Sequence, residues 1–170
     1  MMPMHNGVRT MPRFVILLVV CLVPFAARSA QYRNDAGHFS IWLPDAWIVT
    51  QQGNRLDAHN LPDTVQVVVA PLKDADADLT DDDVADFVDD EIDAMRVTAD
   101  RQMPVGNLPA RHLEGTGKDE GDDVTFRAVA IDPGGTAPVI EALVYGEDKA
   151  MTHDQVQNAV EHILRSLRPM

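Results

Sequence analysis

The stretch that decides the fold reads Phe39-Ser40-Ile41-Trp42-Leu43-Pro44-Asp45-Ala46-Trp47. Phe39, Ile41 and Leu43 alternate with other residues, which predicts a strand with one face in the core. A proline and an aspartate then end the strand. We expect Trp47 to fill the core. Trp42 alternates away from the apolar set, so that either a helix covers its face of the strand or its ring is exposed for a partner.

The residues before this stretch indicate export. Two arginines precede an apolar run at residues 14–27, and small residues follow it. This order is typical of a secretory signal peptide, and the run is shorter than the ~20 apolar residues that span a bilayer. We expect cleavage near Ser29 or Ala30 to remove residues 1–29. One domain, residues 31–170, then remains in the periplasm or outside the cell, without a permanent membrane anchor.

Charge and cysteine content narrow the function classes. The chain has 27 acidic and 14 basic residues, and three of the basic ones lie in the predicted signal peptide. Such an acidic domain repels nucleic acid and anionic membranes, so we expect neither as a partner. The only cysteine, Cys21, lies in the apolar run, so the exported domain forms no internal disulfide. Lipidation of Cys21 is the alternative, but valines stand at positions 19 and 20, where small residues are wanted.

Alternation and turn residues predict further strands. Residues 64–70 are apolar on both faces, which predicts a central strand covered on both sides. Other strands are predicted at residues 47–49, 56–58, 97–103, 110–116, 124–131 and 138–145. Glycine-containing turns, including one at residues 117–123, separate the last four strands. These four strands are therefore expected to form a meander.

An acidic segment at residues 74–93 permits two interpretations. In the favoured one a linker leads into a helix, with Thr80 as N-cap and Asp83 as its capping-box partner. Its acidic residues would face solvent, opposite an apolar stripe made of Val84, Phe87, Val88, Ile92 and Met95.

The other interpretation of the acidic segment is a calcium-binding loop. Asp74, Asp76 and Asp78 match the first three ligand positions of an EF-hand. Leu79 stands where that loop requires glycine, and Ala85 stands where it requires a bidentate glutamate. The pattern thus favours a solvated helix face over a metal site.

The end of the chain predicts an amphipathic helix. Thr152 is the expected N-cap, with Gln155 as its capping-box partner. One apolar stripe follows at helical spacing, comprising Val156, Ala159, Val160, Ile163, Leu164 and Leu167. We expect a chain that stops before Thr152 not to fold.

These patterns predict an α+β fold, an antiparallel β-sheet flanked by helices, in the order β-β-β-β-α-β-β-β-β-α after the signal peptide. The order resembles the PsbP-like family. The opening at residues 39–47 carries the resemblance, with Leu108-Pro109-Ala110-Arg111-His112-Leu113-Glu114-Gly115 and Ile163-Leu164-Arg165-Ser166-Leu167. The family includes the P subunit of the photosystem II oxygen-evolving complex, a nuclear Ran-binding protein and exported bacterial proteins of unknown role. The resemblance implies a binding or assembly module.

No motif of enzyme chemistry is present in the exported part. Its histidines have no zinc-type spacing, and we expect each on the surface: His38, His59, His112, His153 and His162. Gly115-Thr116-Gly117-Lys118 is similar to a phosphate loop, but Asp119 replaces the required Ser or Thr, so a hairpin turn is expected instead. The sequence predicts no catalytic, cofactor-binding or metal-binding residues.

The sequence therefore predicts an exported, non-catalytic binding or assembly module of the bacterial envelope, whose partner is another envelope protein. Its oligomeric state is left open. The alternative is a divalent-ion-dependent, or otherwise unfamiliar, hydrolase that uses the acidic surface. A general acid–base pair needs a carboxyl group with a raised pKa in a cleft, which the sequence does not reveal.

Overall fold

A computed structural model describes residues 29–61, 63–72, 81–135 and 137–170, and for Asp81 and Asp82 it describes the backbone alone. The strands are β1 (Ser29–Asn34), β2 (Phe39–Pro44), β3 (Ile48–Gln52), β4 (Arg55–His59), β5 (Val65–Pro71), β6 (Asp93–Gln102), β7 (Ala110–Asp119), β8 (Asp122–Ile131), β9 (Ile140–Glu147) and β10 (Arg168–Pro169). The helices are α1 (Asp81–Glu91), α2 (Asp148–Met151) and α3 (Asp154–Ser166).

The strands form two antiparallel sheets. The small sheet has the order β1-β2-β10, and the large sheet has the order β3-β4-β5-β9-β8-β7-β6. The predicted α+β class and element order are confirmed, including the meander from β6 to β9. The sequence analysis did not identify β1, β10 and α2. The strand of the opening stretch, β2, lies in the small sheet because it pairs with β1 and with the end of the chain.

The first face of the large sheet packs against the small sheet and α3. Phe39, Ile41 and Leu43 are fully buried there, as the alternation predicts, and Trp47 packs against the same core. The predicted stripe of α3 is confirmed by the burial of Val160, Ile163, Leu164 and Leu167. The opening stretch and the last helix thus share one apolar layer.

The second face of the large sheet packs against α1. Val84 and Val88 of α1 and the following Ile92 are fully buried in this layer. The central position predicted for β5 is confirmed, since its valines alternate between the two layers and it lies between β4 and β9. The acidic side chains of Asp86, Asp89 and Asp90 are exposed on the outer side of α1.

The turn predicted at residues 117–123 is present but shorter than predicted, and the hairpin turn expected at residues 115–118 is wrong because these residues lie in β7. Strand β7 continues to Asp119, which pairs with Asp122, so the hairpin loop is only Glu120-Gly121. Both loop residues have positive φ, 51° and 97°, as two-residue hairpin turns require. Gly117 is glycine for a different reason, because a Cβ there would collide with the side chain of Ile92.

The predicted N-cap of the last helix is also wrong. The hydroxyl of Thr152 donates to the carbonyl of Asp148 at 2.8 Å, because residues 148–151 already form the short helix α2. His153 is the N-cap of α3, and its ring nitrogen accepts from the backbone N–H of Gln155 at 3.4 Å. The contribution of Gln155 to this cap is therefore its backbone N–H.

Several predictions fall outside the described residues. These are the signal peptide up to residue 28, the three aspartates of the rejected calcium loop, and the Thr80 cap. Within the described ranges, no helix has the length and apolar character needed to cross a bilayer.

Candidate docking groove

None of the residues that the structure describes covers one part of the first face of the large sheet. The first-face side chains of β6, β7 and β8 are accessible where α3 passes beside these strands. A groove of about 610 Å³ lies there, between α3 and β6. His112 and Glu114 of β7 and Arg127 of β8 form its floor. Further along the same face, Val129 and Ile131 of β8 are fully buried. The groove therefore begins where the apolar layer ends.

Arginines dominate the charge of this groove. Four of them line it, with two glutamates: Arg101, Arg127, Arg165, Arg168, Glu114 and Glu161. We call this surface the arginine groove. It has an excess of two positive charges with His112 neutral, in a chain whose net charge is −13. The groove is therefore opposite in charge to the molecule as a whole.

Two of the three ion pairs in the arginine groove are long, and two of them share one carboxylate. Glu161 accepts from Arg127 at 3.5 Å and from Arg165 at 3.0 Å, and Arg101 lies 3.9 Å from Glu114. Arg168 donates to the backbone carbonyls of Arg165 and Leu167, at 2.7 and 2.6 Å. Surface pairs of this kind contribute about 0–1 kcal/mol each.

A second cleft continues the open face along β7 and β8. Its volume is about 620 Å³. Lys118 donates to Asp123 at 2.9 Å, and Thr125 donates to Asp148 at 3.1 Å. The cations Arg96 and Lys118 are matched in number by these two carboxylates, so this cleft has no charge excess.

The two tryptophans lie outside the arginine groove. The side chain of Trp42 is on β2 and has 39% of its surface exposed. Its backbone N–H donates to the hydroxyl of Ser166 at 2.9 Å, which joins the small sheet to α3. Trp47 is partly buried against the first-face core. Of the alternatives for Trp42, the structure favours exposure.

The predicted surface histidines are dispersed. His38 and His162 are exposed, and His59 pairs with Asp63. A ring nitrogen of His112 lies 3.1 Å from the carbonyl oxygen of Met103 in the arginine groove. Among the residues that the structure describes, no three His, Cys, Asp or Glu side chains lie together in a way that could hold a metal ion.

On the second face, α1 is tied to the sheet by an ion pair. Glu91 accepts two hydrogen bonds from Arg55 of β4, and Arg55 also contacts Asp57. These two carboxylates raise the pKa of the Arg55 guanidinium. The last acidic residue of α1 is thus part of the packing of the helix, whereas Asp86, Asp89 and Asp90 face solvent.

A buried carboxyl group also lies on the second face. Glu141 of β9 is fully buried, and neither of its carboxyl oxygens has a hydrogen-bond partner among the described residues. Its cross-strand neighbours are the small residues Ala70 and Ala130, and Arg111 lies beyond Ala130 on β7. Burial raises the pKa of Glu141 well above its usual range, although the charge of Arg111 acts in the opposite direction. Arg111 also donates to both carboxylate oxygens of Asp100, at 2.9 and 2.6 Å.

Neither the arginine groove nor the buried Glu141 was predicted from the sequence. The groove arginines are separated by up to 67 positions and belong to β6, β8, α3 and β10. One signal was available, because β8 is apolar on both sides from Ala128 onward, whereas Arg127 stands just before this part, on the same side as Val129 and Ile131. Glu141 carries a similar signal, since it is the only charged residue between Val139 and Tyr145.

Comparison with known proteins identifies the fold. No protein-family model matches the chain, and no curated protein matches its sequence. The Saccharomyces cerevisiae Ran-binding protein Mog1p matches in structure with a TM-score of 0.58 and 8% identity, over 85% of this chain and 96% of Mog1p. Cyanobacterial PsbP (CyanoP) from Synechocystis sp. PCC 6803 matches with a TM-score of 0.58 and 14% identity, over 90% and 99% of the two chains.

A third match is PA94 of Pseudomonas aeruginosa, a protein of unknown function. Its TM-score is 0.51 at 15% identity, and the match covers 84% of this chain and 98% of PA94. All three identities are low, so the likeness is one of fold. The chain has the fold that Mog1p and PsbP share.

Proposed function

We propose that this protein is a non-catalytic binding module that works in the bacterial envelope after export and holds a partner protein in the arginine groove. The observation that carries the proposal is the groove itself. It is an uncovered part of a sheet face, about 610 Å³ in volume, with a charge opposite to that of the chain.

The fold supports a binding role. Mog1p, which has this fold, is a Ran-binding protein. In the present chain the carboxyl group with the largest rise in pKa, that of Glu141, is fully buried and lines none of the described clefts. A general acid must reach the substrate, and this group does not reach solvent. The most perturbed acid therefore supports a structural role over a catalytic one.

Export is supported by the sequence of the first 30 residues. The positive residues, the apolar run and the small residues near Ser29 and Ala30 have the order of a signal peptide. Mass spectrometry of the protein recovered from the periplasm tests this part of the proposal. A first residue at Ala30 or Gln31 supports it, and a protein that keeps its apolar run contradicts it.

The binding role is tested by photocrosslinking in intact cells. A photoreactive amino acid at Met103, which lines the groove and is 46% exposed, should give one defined adduct with another envelope protein. The matched control is the same amino acid at Leu61, which is 69% exposed. This residue follows β4, which lies near the edge of the large sheet opposite to β6.

The two positions should differ. An adduct from Met103 that is absent from Leu61 supports a partner in the groove. Adducts of the same pattern from both positions, or none from Met103, contradict the proposal. Reproducible turnover of a substrate by the purified protein, lost on substitution of one acidic residue or histidine, would contradict the non-catalytic part.

A further inference from the structure

We propose that the occupant of the arginine groove is an acidic segment of the partner protein, which places carboxylates against the groove arginines. This inference rests on the proposed function and specifies its partner chemistry. The guanidinium group is planar and pairs bidentately with carboxylates. Four such groups line one groove, on both its α3 side and its β6 side.

The present partners of these arginines are replaceable. Arg101 is 3.9 Å from Glu114, and Arg127 and Arg165 share the single carboxylate of Glu161. The side chains of Arg101 and Arg165 are 58% and 80% exposed. Because exposed pairs of this kind are weak, little stabilisation is lost when an incoming carboxylate displaces them. The groove therefore has cationic groups ready for a ligand.

The two glutamates of the groove favour a peptide over a uniform polyanion. Glu114 and Glu161 lie among the arginines, so a run of phosphates would meet repulsion at two points. A peptide segment can set its carboxylates against the arginines and its N–H groups against the glutamates. The chain's net charge of −13 further disfavours nucleic acid and anionic lipid, which extend beyond the groove.

The size of the open face fits a short segment. The arginine groove and the charge-balanced cleft beside it follow β7 from His112 to Lys118. At about 3.3 Å per residue this is a path of about 20 Å, enough for roughly six extended residues. The acidic side chains would concentrate at the arginine end, since the cleft at the other end has no charge excess.

A second copy of this chain is a poorer occupant, although it offers an acidic helix. Helix α1 covers the second face of the large sheet, whereas the groove lies on the first face. Contact between α1 of one copy and the groove of the next would be head-to-tail, and such contacts extend into filaments unless the rotation closes a ring. A different protein avoids this consequence.

The test measures binding of a fluorescein-labelled peptide of alternating glutamate and serine to the purified protein by anisotropy at low salt. We expect Arg101→Glu and Arg165→Glu each to weaken binding by about tenfold or more, a difference of about 1.4 kcal/mol. The matched control is Arg33→Glu, with the same charge change on β1, at a side chain that is 69% exposed. Its affinity should stay within about twofold of the unchanged protein.

The outcomes are distinct. A control peptide has glutamine in place of every glutamate. The inference is supported if the two groove variants lose binding of the glutamate peptide, Arg33→Glu keeps it, and the glutamine peptide does not bind. Equal weakening in all three variants overturns it, because only net charge would then matter. Groove-dependent binding to phosphatidylglycerol vesicles without peptide binding, or salt-sensitive filaments lost in the groove variants, also overturns it. A partner adduct from Met103 together with no peptide binding would overturn the acidic chemistry alone and leave the binding module in place.

Discussion

At the scale of single residues, Glu141 has the least favourable environment of any charged group that the structure describes. Its carboxyl is fully buried without a hydrogen bond. The cost of such burial falls mainly on the ionised form, so the group stays protonated to a higher pH when folded. In the unfolded chain the same group has the ordinary pKa of a glutamate side chain. At any pH between these two pKa values, folding is therefore accompanied by the uptake of a proton.

This difference predicts a pH dependence of stability. The folded state holds the extra proton, so the free energy of unfolding falls as the pH rises. The fall extends from the usual pKa of glutamate to the raised pKa of Glu141 and amounts to up to about 1.4 kcal/mol per pH unit. Glu141→Gln removes the titration and should be the more stable protein at neutral pH. Urea unfolding of both proteins at several pH values measures the effect. A difference between them that does not change with pH would contradict it.

Trp42 gives a second prediction at this scale. Its ring is 39% exposed, whereas Trp47 packs against the core. In a Trp47→Phe variant, the remaining emission should be red-shifted and open to acrylamide quenching. Blue emission that resists the quencher would mean that Trp42 is covered. The reciprocal Trp42→Phe variant serves as the control, with bluer and better protected emission expected from Trp47.

At the scale of elements, α3 completes the first-face core. Val160, Ile163, Leu164 and the following Leu167 are buried in the first-face core, and burying such side chains stabilises by about 1.5–3 kcal/mol each. Their sum is comparable to the net stability of a whole domain, about 5–15 kcal/mol.

A chain that ends before Thr152 is therefore expected not to fold. It loses α3 and also β10, which pairs with β2. Circular dichroism melting of the truncated protein measures this. A soluble product that unfolds cooperatively would contradict the expectation. The control is removal of Met170 alone, whose side chain is 43% exposed, and this change should leave the melting temperature nearly unchanged.

Helix α1 gives the prediction that separates a solvated acidic face from a metal site. Asp86, Asp89 and Asp90 are exposed, and Glu91 is engaged by Arg55. Calcium or magnesium should therefore change the melting temperature no more than sodium chloride of equal ionic strength. A rise well beyond that control would indicate specific binding to the folded state and would favour the divalent-ion hydrolase.

The periodic elements were predictable because their signals are local. The alternation around Ile41, the doubly apolar β5 and the stripe of α3 each follow from neighbours in sequence. Two local signals were misassigned. Gly117 lies in β7, paired with Val124, and is glycine because Ile92 packs closely against it. Thr152 ends α2 because a helical turn precedes it. Long-range features, namely the second sheet, the arginine groove and the buried Glu141, depend on strand order and were not predictable from spacing.

At the scale of the whole molecule, the charges are segregated. Exposed acids lie on the outer side of α1, over the second face, and the arginine groove lies on the opposite face of the same sheet. At physiological ionic strength charges interact over about 8 Å, so the groove attracts a short ligand despite the net charge of −13. In the proposed role, this arrangement lets an acidic chain bind an acidic segment at one defined place.

The most direct test of this account is hydrogen–deuterium exchange of the protein with and without the partner that crosslinking at Met103 recovers. We predict slower exchange in peptides that cover β6 with the following loop to Gly106, and in those that cover α3 from Glu161 onward. Peptides of α1 should be unchanged. Protection over α1 with none along the arginine groove would contradict the central claim that the protein binds its partner through this groove.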